Sequence, residues 1–404
     1  MKKILQIALG IVTSVGGFLE IGSIATAAQA GAGFGYQLVW AIVLGTICIA
    51  FLVEMSGRFA AVSKHTIPDA MRERFGINFY AVPLIVMLGV SLLVLGAEMG
   101  GVAAALEMAT GIKLPIWAIP VALVSWGLLW RATFSIIENG VSLLGLITIA
   151  FAVGAVKLHP NYSAVMHGAV PTLPRQDAAH YWFVAVSVLG ASISPYLYYF
   201  YSSGAIEEKW DETYLVANRA IAAIGMGFGG FLSVAVLVLA AILFHPHNID
   251  VDKYQQLPDL LTPIFGRTGF WLVIASLAIA CLGATLEISL ALAYLIAQGF
   301  GWNWGEDLEP HDDARFSLTY TLIVIAAMLF VLIGLDPLKL TEISMALTAA
   351  SLPIGVFPFL ILMNDKKYLQ AHTNGYVGNA VVLAISLMAA VLAIVSIPLE
   401  IVGS

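Results

Sequence analysis

Residues 16–23 of the chain read GGFLEIGS, and they put glycines and a carboxylic acid in the middle of an apolar run. Residues 190–197, which read GASISPYL, repeat this pattern with a proline at position 195. Because glycine loosens a helix and proline removes a backbone donor, each run is expected to break at these residues. In a bilayer such breaks persist only where the freed backbone groups face protein, water or a ligand. The sequence therefore predicts two interrupted helices, with Gly16, Gly17 and Pro195 at the interruptions.

The composition of the whole chain is that of an integral membrane protein. Of its 404 residues, 60% are hydrophobic and 11% are charged. Soluble domains average about 45–50% hydrophobic and about 25% charged residues. A soluble protein of this size could not cover its surface with so few charges, so lipid must surround much of the chain. This excludes a nucleic-acid-binding protein, a secreted disulfide scaffold and a disordered chain. The two cysteines, Cys48 and Cys281, lie in apolar runs and are interpreted as small buried side chains.

About eleven apolar stretches are long enough to cross a membrane as helices. They lie near residues 4–29, 36–57, 79–108, 114–130, 134–157, 181–204, 214–244, 268–300, 316–335, 339–363 and 376–402. The alternating segments of a β-barrel are absent and no connection is long enough for a soluble domain, so we expect one all-α membrane domain over residues 1–404. The first run also resembles a secretory signal, but its length and its Glu20 favour a retained span.

The basic residues indicate how the chain is oriented. If the N-terminus is cytoplasmic and eleven spans alternate, two thirds of the 18 Lys and Arg residues fall on the inner side. This agrees with the excess of basic residues in cytoplasmic loops of membrane proteins. We therefore expect a cytoplasmic N-terminus, and a short chain without a soluble domain favours the inner membrane of a bacterium.

Several carboxylic acids lie within the apolar runs, among them Glu20, Glu98, Glu138 and Glu287. A charge at bilayer depth is costly, so such residues usually face a cavity or a partner. Glu20 is the strongest candidate because it stands at the first interruption, and Glu98 is a candidate for a second proton or ion stop. For Glu138 and Glu287 a protonated structural role is favoured.

Other kinds of site find little support. All 8 histidines fall in loops or at span ends, which argues against a zinc or copper cage. No phosphate-binding loop or soluble catalytic triad is present, so an enzyme is not expected. Interruptions in corresponding spans of two halves instead point to the midplane site of a transporter. Two ordinary kinks packed against neighbouring helices are the alternative.

Several motifs occur in the order in which they occur in the Nramp family of proton-coupled divalent-metal transporters, and the chain resembles that family. Residues 34–40, FGYQLVW, resemble the family's FGYxLxW entry to span two. Residues 56–75 resemble its first cytoplasmic loop, with A-x-R-E-R near the end. Weaker matches lie at residues 190–195, 298–300 and 352–360. The resemblance implies a LeuT-like fold with alternating access around a midplane site.

Two inverted five-helix repeats follow from that fold. We expect the first near residues 4–157 and the second near residues 181–363, with an extra helix near residues 376–402. Spans one and six, which carry the interruptions, are the opening spans of these repeats. Their matched positions fit an inverted repeat.

The metal site that the resemblance implies is changed in this sequence. The family's Asp-Pro-Gly-Asn of span one falls on residues 20–23, EIGS, and its Met-Pro-His-Asn of span six falls on residues 194–197, SPYL. A span-ten glutamine falls on Ser351. Of two acids in span three, Glu98 matches the first, while Gly101 stands at the second. Methionine sulfur favours transition ions, whereas a serine hydroxyl is a hard ligand.

We therefore expect a secondary transporter of a hard divalent cation, such as magnesium or manganese with a reduced preference for transition ions. Glu20 and Ser194 are the expected metal ligands, and Glu98 is the expected proton or coupling group. The other residues expected at the ion site are Gly22, Ser23, Ile193, Tyr196 and Ser351. No cofactor is expected, the partners are the transported solute and bilayer lipid rather than nucleic acid, and the oligomeric state is left open.

A second function also stays open. The tyrosine-rich half of span six and the half-helix N-termini could hold a small organic solute or anion in a carrier that has lost the metal site. A non-transporting sensor on the same scaffold is less favoured, because no soluble output domain is expected.

Overall fold

The computed structural model describes residues 20–131, 146–174, 177–305, 308 and 311–403, and this part of the chain contains helices and no strand. In chain order the helices are α1 (Ile21–Phe34), α2 (Val39–Ser63), α3 (Ile67–Phe75), α4 (Ile77–Thr110), α5 (Leu114–Arg131), α6 (Ile149–Lys157), α7 (Tyr162–Gly168), α8 (Ala178–Ser192), α9 (Pro195–Glu207), α10 (Leu215–Leu243), α11 (Thr262–Phe265), α12 (Arg267–Phe300), α13 (Ala314–Leu332), α14 (Pro337–Met363), α15 (Lys366–Leu369) and α16 (Tyr376–Gly403). Short 3-10 turns lie at Leu146–Thr148, Glu212–Tyr214, His245–His247, Tyr254–Leu260 and Gln370–His372. The predicted all-α class is confirmed.

Within the described ranges, 9 helical segments are long and apolar enough to cross a membrane. They correspond to predicted spans two to four and six to eleven, with ends that differ by a few residues. Much of span one and the start of span five, including Gly16, Gly17 and Glu138, lie outside the described residues. The count of eleven spans therefore stays a prediction.

Small residues let the helices approach one another closely. A Cβ atom at Gly31 of α1 would lie 2.2 Å from the Leu237 carbonyl oxygen of α10, and one at Gly230 of α10 would lie 2.2 Å from the Thr46 hydroxyl of α2. Helices in lipid associate through such close packing, because no water is released between them. α1 and α2 accordingly both pack on α10, while α4 packs on α12 and α14.

Span six is broken where the sequence predicts. α8 ends at Ser192, Ile193 has φ −118° and ψ 60°, and α9 begins at Pro195. Proline fits the first position of a helix, where its missing N–H would have no partner, and its ring disfavours a helical conformation at the preceding residue. Ser194 is accordingly extended, with φ −69° and ψ 112°. Pro195 therefore ends one half-helix and starts the other.

Span one is described on one side of its predicted break only. α1 begins directly after Glu20, whose backbone is extended at φ −99° and ψ 176°. The helix continues to Phe34, beyond the predicted span end near residue 29. Gly35 ends it with a φ of 60°, a conformation that favours glycine. Hydropathy alone could not locate this end.

Charged residues cluster at one end of the bundle, which we call the basic end, where α2, α3 and α15 meet. Arg58 of α2 is buried, and it donates to Glu54 at 3.0 Å, to Asn374 Oδ1 at 2.9 Å and to the His372 carbonyl at 2.6 Å. Nearby, the amide of Lys367 and the Arg74 guanidinium hold the pKa of the Asp365 carboxyl below its ordinary value. These contacts tie the segment between α14 and α16 to the ends of α2 and α3.

Candidate functional site

The start of α1 and the break of span six meet at the side chain of Glu20. Its Oε1 accepts a hydrogen bond from the Ser194 hydroxyl at 2.9 Å, and its Oε2 accepts one from the Tyr196 hydroxyl at 2.7 Å. The Glu20 side chain is completely buried, and both donors are buried as well. Hydrogen bonds to an ionised oxygen are about twice as strong as neutral ones. Three residues predicted for the ion site are thus joined by direct contacts.

A second buried carboxylate, that of Glu98 on α4, lies at the N-terminus of α1. The N–H of Ile21 points at it, 3.1 Å from Oε1 and 3.4 Å from Oε2. Ile21 is the first residue of α1, where backbone donors lack partners within the helix and the helix dipole is positive. Glu98 therefore caps the half-helix that follows Glu20, a role that the sequence did not indicate.

The balance of charge around these two acids favours a positively charged ligand. Among the described residues, no Lys, Arg or His pairs with Glu20 or Glu98. Burying an ionised carboxylate costs several kcal/mol even after the surroundings relax. The two hydroxyls at Glu20, and the Ile21 and Gly22 amides and the Cys281 thiol at Glu98, are neutral donors that compensate only part of that cost. A proton or a cation would supply the missing charge. The arrangement is therefore suited to binding protons or metal ions.

The backbone oxygens predicted for the site differ in their availability. The Ile193 carbonyl, at the break of span six, accepts no hydrogen bond from the described residues, so its lone pairs are not used within this part of the chain. The Gly22 carbonyl instead accepts the Thr26 hydroxyl at 2.7 Å within the first turn of α1. Ser23 is buried in that same turn. The backbone contribution to a site would therefore come from span six rather than from Gly22.

The predicted contribution of span ten is not seen as a direct contact. The Ser351 hydroxyl donates to the Thr348 carbonyl of its own helix at 2.9 Å. No hydrogen bond in the described part of the chain links Ser351 to Glu20 or Ser194. Ser351 is buried in α14, the helix that packs against α8, but it is bonded within its own turn.

A residue that the sequence analysis missed, Met345 of α14, packs against both α1 and α8. A Cβ atom at Gly22 would lie 2.3 Å from Met345 Cε and 3.0 Å from its Sδ, and one at Gly190 would lie 1.9 Å from its carbonyl oxygen. Glycine at both positions lets α1 and α8 close on α14. Nothing in the sequence sets Met345 apart from its apolar neighbours; the only signal was the glycine near each break.

The missing second acid of span three has a packing explanation. A Cβ atom at Gly101 would lie 2.5 Å from the Sγ of Cys281 on α12, so a side chain there would have to displace this sulfur. Cys281 is fully buried, as the sequence predicts. The space that a second acid would need is thus filled by a neighbouring helix.

The ligands that the contacts of Glu20 and the break of span six identify are oxygens. They are the Glu20 carboxylate, the Ser194 hydroxyl and the Ile193 carbonyl. Within the described residues, no group of three His, Cys, Asp or Glu side chains is placed to hold a metal ion. Such an oxygen set suits a hard cation that keeps part of its water.

The chain is similar to known proteins over nearly its whole length. Residues 10–398 match the family model described as Nramp, natural resistance-associated macrophage protein-like. The divalent metal cation transporter MntH of Aeromonas hydrophila is 26% identical over 388 residues, which cover 90% of this chain and 88% of that protein.

Two solved structures share the fold. The manganese transporter of Eremococcus coleocola, in complex with an aromatic bis-isothiourea substituted compound, has a TM-score of 0.73 and 19% identity, and covers 97% of this chain and 85% of its own. MhsT in complex with L-phenylalanine has a TM-score of 0.61 and 14% identity. This match covers 96% of our chain and 97% of MhsT. These likenesses confirm the predicted LeuT-like fold.

Proposed function

Because this chain belongs to the Nramp family, we propose that it is a metal-cation transporter that moves a hard divalent cation through the membrane by alternating access. The observation that carries the proposal is the buried Glu20 carboxylate, which precedes α1 and is held by the Ser194 and Tyr196 hydroxyls of span six. Relatives named as divalent metal cation transporters support a metal ion as the substrate. The oxygen ligands of this chain support a hard ion within that class.

The residues of the site would divide the work of binding. Glu20 supplies the negative charge, while the Ser194 hydroxyl and the Ile193 carbonyl supply neutral oxygens, and water completes the coordination. Tyr196 orients the carboxylate through its 2.7 Å hydrogen bond. This set has one charged ligand and no sulfur, so it releases its ion readily, as a carrier must.

Transport would follow from the two interruptions. The residues that connect the half-helices, Ile193 and Ser194, both have non-helical backbone dihedrals, so a change of these few dihedrals would tilt α9 against α8. Before an ion arrives, Glu20 holds spans one and six together. An ion that takes over the Glu20 oxygens loosens this contact, and the site then opens to one side of the membrane at a time.

Glu98 would couple a proton to this movement. Its carboxylate holds the N–H of Ile21, at the start of the half-helix that must tilt. Protonation would weaken that hydrogen bond, because a neutral carboxyl group is a poorer acceptor than a carboxylate. Since Gly101 replaces the second acid of span three, the coupling would rest on Glu98 alone within that span.

A carrier of an organic solute is the less favoured candidate. The relatives are named for metals, and the aromatic side chains after the break pack against other aromatic rings. Tyr198 stacks on Phe359 with ring centroids 5.5 Å apart, and Tyr199 lies 4.6 Å from Tyr198. These tyrosines therefore serve packing, and the likeness to MhsT concerns the fold alone.

The protein is an integral membrane protein, and we place it in the inner membrane of a bacterium with the basic end and the N-terminus in the cytoplasm. The distribution of Lys and Arg supports this orientation. A cysteine introduced at Lys366, on the basic end, should react with an impermeant thiol reagent only after the cells are opened. Reaction in intact cells would reverse the orientation.

Uptake by the purified protein in liposomes tests the proposed function. Magnesium, calcium and manganese are supplied separately outside, and the internal pH is followed with a dye. We expect uptake of magnesium or calcium at concentrations at which manganese enters no faster, with acidification of the lumen if Glu98 couples protons. Efficient manganese uptake at micromolar concentrations without magnesium uptake would contradict the hard site. No divalent flux from a monodisperse preparation would contradict metal transport.

A further inference from the structure

A groove with a volume of about 740 Å³ opens at the surface between the end of α14 and the start of α16. Its wall is apolar and is formed by Phe357, Leu360, Ile361 and Leu383. Its mouth is polar and lies at the basic end of the bundle, where it is lined by Arg74, Asn364, Asp365, Lys366 and Asn379. None of these residues takes part in the proposed ion site.

Paired amides hold the mouth of the groove in shape. Asn364 and Asn379 donate to each other's side-chain oxygens at 3.1 Å and 2.9 Å, which joins the end of α14 to the first turn of α16. Asn374 also donates to Asn379 at 2.6 Å, and Asn364 donates to the Leu360 carbonyl at 2.7 Å. The groove is therefore a built feature of the fold.

The mouth carries a net positive charge. Arg74 donates to Asp365 at 3.0 Å, so these two charges balance, while the exposed side chain of Lys366 adds one further positive charge. Below the mouth, Phe357 and Ile361 are 40% and 50% exposed. In a membrane, an exposed apolar wall of this kind faces lipid chains rather than water.

We propose that this groove binds an anionic phospholipid, with the phosphate between Lys366 and Arg74 and an acyl chain along Phe357 and Ile361. An apolar slot that ends in basic residues matches the two parts of such a lipid, and basic pockets between membrane helices are known to bind anionic head groups. A zwitterionic lipid fits the slot equally well but brings a cation that Lys366 repels. Net head-group charge should therefore decide the affinity.

Lipid binding to the purified full-length protein tests this proposal without any transport assay. The protein in detergent is titrated with phosphatidylglycerol or phosphatidylcholine, and bound lipid is counted by native mass spectrometry. We expect phosphatidylglycerol to bind more tightly. Since one basic residue near an anionic head group contributes about 1 kcal/mol, Lys366→Gln should weaken phosphatidylglycerol binding about fivefold and leave phosphatidylcholine unchanged.

A matched control is offered by Lys339, an exposed lysine in the first turn of α14, at the end of that helix away from the groove. Lys339→Gln changes the net charge equally but should leave binding as in the wild type. Ile361→Trp fills the apolar wall and should abolish binding of both lipids while retaining the basic mouth. Glycerol phosphate, which has no acyl chain, should not compete.

Three results would overturn the proposal. The first is equal affinity of the wild type for the two lipids, and the second is equal weakening by Lys366→Gln and Lys339→Gln. The third is competition by glycerol phosphate as strong as that by phosphatidylglycerol, which would identify a plain phosphate site. If Lys366→Gln does not yield monodisperse protein, unchanged phosphatidylglycerol binding by Ile361→Trp decides against the groove.

Discussion

Replacing Ser194 with methionine should change which metal ions the protein carries. Ser194 Oγ lies 2.9 Å from Glu20 Oε1, so an ion held by this carboxylate would lie within reach of the side chain at position 194. Methionine puts a polarizable thioether where serine puts a hydroxyl. Thioethers prefer softer ions such as cadmium over magnesium and calcium. We therefore expect the variant to favour cadmium and to lose magnesium uptake.

The size of the change can be estimated from the contact that is lost. A hydrogen bond to a charged group contributes about 1.5–3 kcal/mol, which corresponds to about 10- to 150-fold in affinity. This range is the loss expected for magnesium, because the hydroxyl is removed both as a ligand and as a partner of Glu20. For cadmium, but not for magnesium, coordination by the thioether sulfur offsets part of this loss of affinity. The ratio of cadmium to magnesium uptake should therefore rise by about tenfold or more.

Ser194→Leu is the matched control, because leucine has a similar volume to methionine and removes the same hydroxyl without adding sulfur. Both variants are reconstituted in liposomes, and initial rates are measured for each ion over a range of concentrations. The buried position requires that each variant first be shown to be monodisperse. If the two variants have the same cadmium to magnesium ratio, the side chain at position 194 does not contact the ion and the assignment of the site is wrong.

Three further predictions concern the scaffold, and each is checked by the thermal unfolding midpoint of the purified protein. Gly190→Ala should destabilise the protein by about 1–3 kcal/mol or more, because the new methyl group would overlap the Met345 carbonyl. Gly227→Ala is the control and should not destabilise the protein, because a Cβ atom there meets nothing within 4 Å. Glu98→Leu should be about 1–3 kcal/mol less stable than Glu98→Gln, because both variants remove the buried charge but only leucine leaves the first amide of α1 unpaired. Equal midpoints for these two variants would contradict the capping role. Arg58→Lys should lower the midpoint, because a single ammonium group cannot reach all three partners of the guanidinium; an unchanged midpoint would show that this cluster adds no stability.

The interruption of span six could be predicted from the sequence because its cause is local. Pro195 restricts the residue before it and cannot continue the hydrogen bonds of α8, whatever surrounds it. The ends of most spans could be predicted for a related reason, since a helix that crosses lipid must be apolar over a set length. The end of α1 was misplaced because Gly35, with its positive φ, ends that helix rather than a change in hydropathy.

Contacts between distant helices could not be predicted in the same way. Glu98 was recognised as an unusual acid, but its contact with the Ile21 amide depends on how α4 packs against α1. Met345 was indistinguishable from other apolar residues until the helices were assembled. The family resemblance placed Ser351 at the ion site. In the structure its hydroxyl instead donates a hydrogen bond to a carbonyl of its own helix. Glu20, Ser194 and Tyr196 were named together because each stands at a predicted interruption, and interrupted backbone is where a membrane helix exposes polar groups.

The most direct test of the central claim is divalent-cation uptake by Glu20→Gln and Glu20→Asp in the same liposomes. Glutamine keeps the size and one of the two acceptor oxygens that Ser194 and Tyr196 contact but removes the charge, whereas aspartate keeps the charge on a shorter side chain. We predict that Glu20→Gln folds and yet takes up no divalent ion, while Glu20→Asp retains measurable uptake. Wild-type uptake by Glu20→Gln would show that the ion does not bind at this carboxylate.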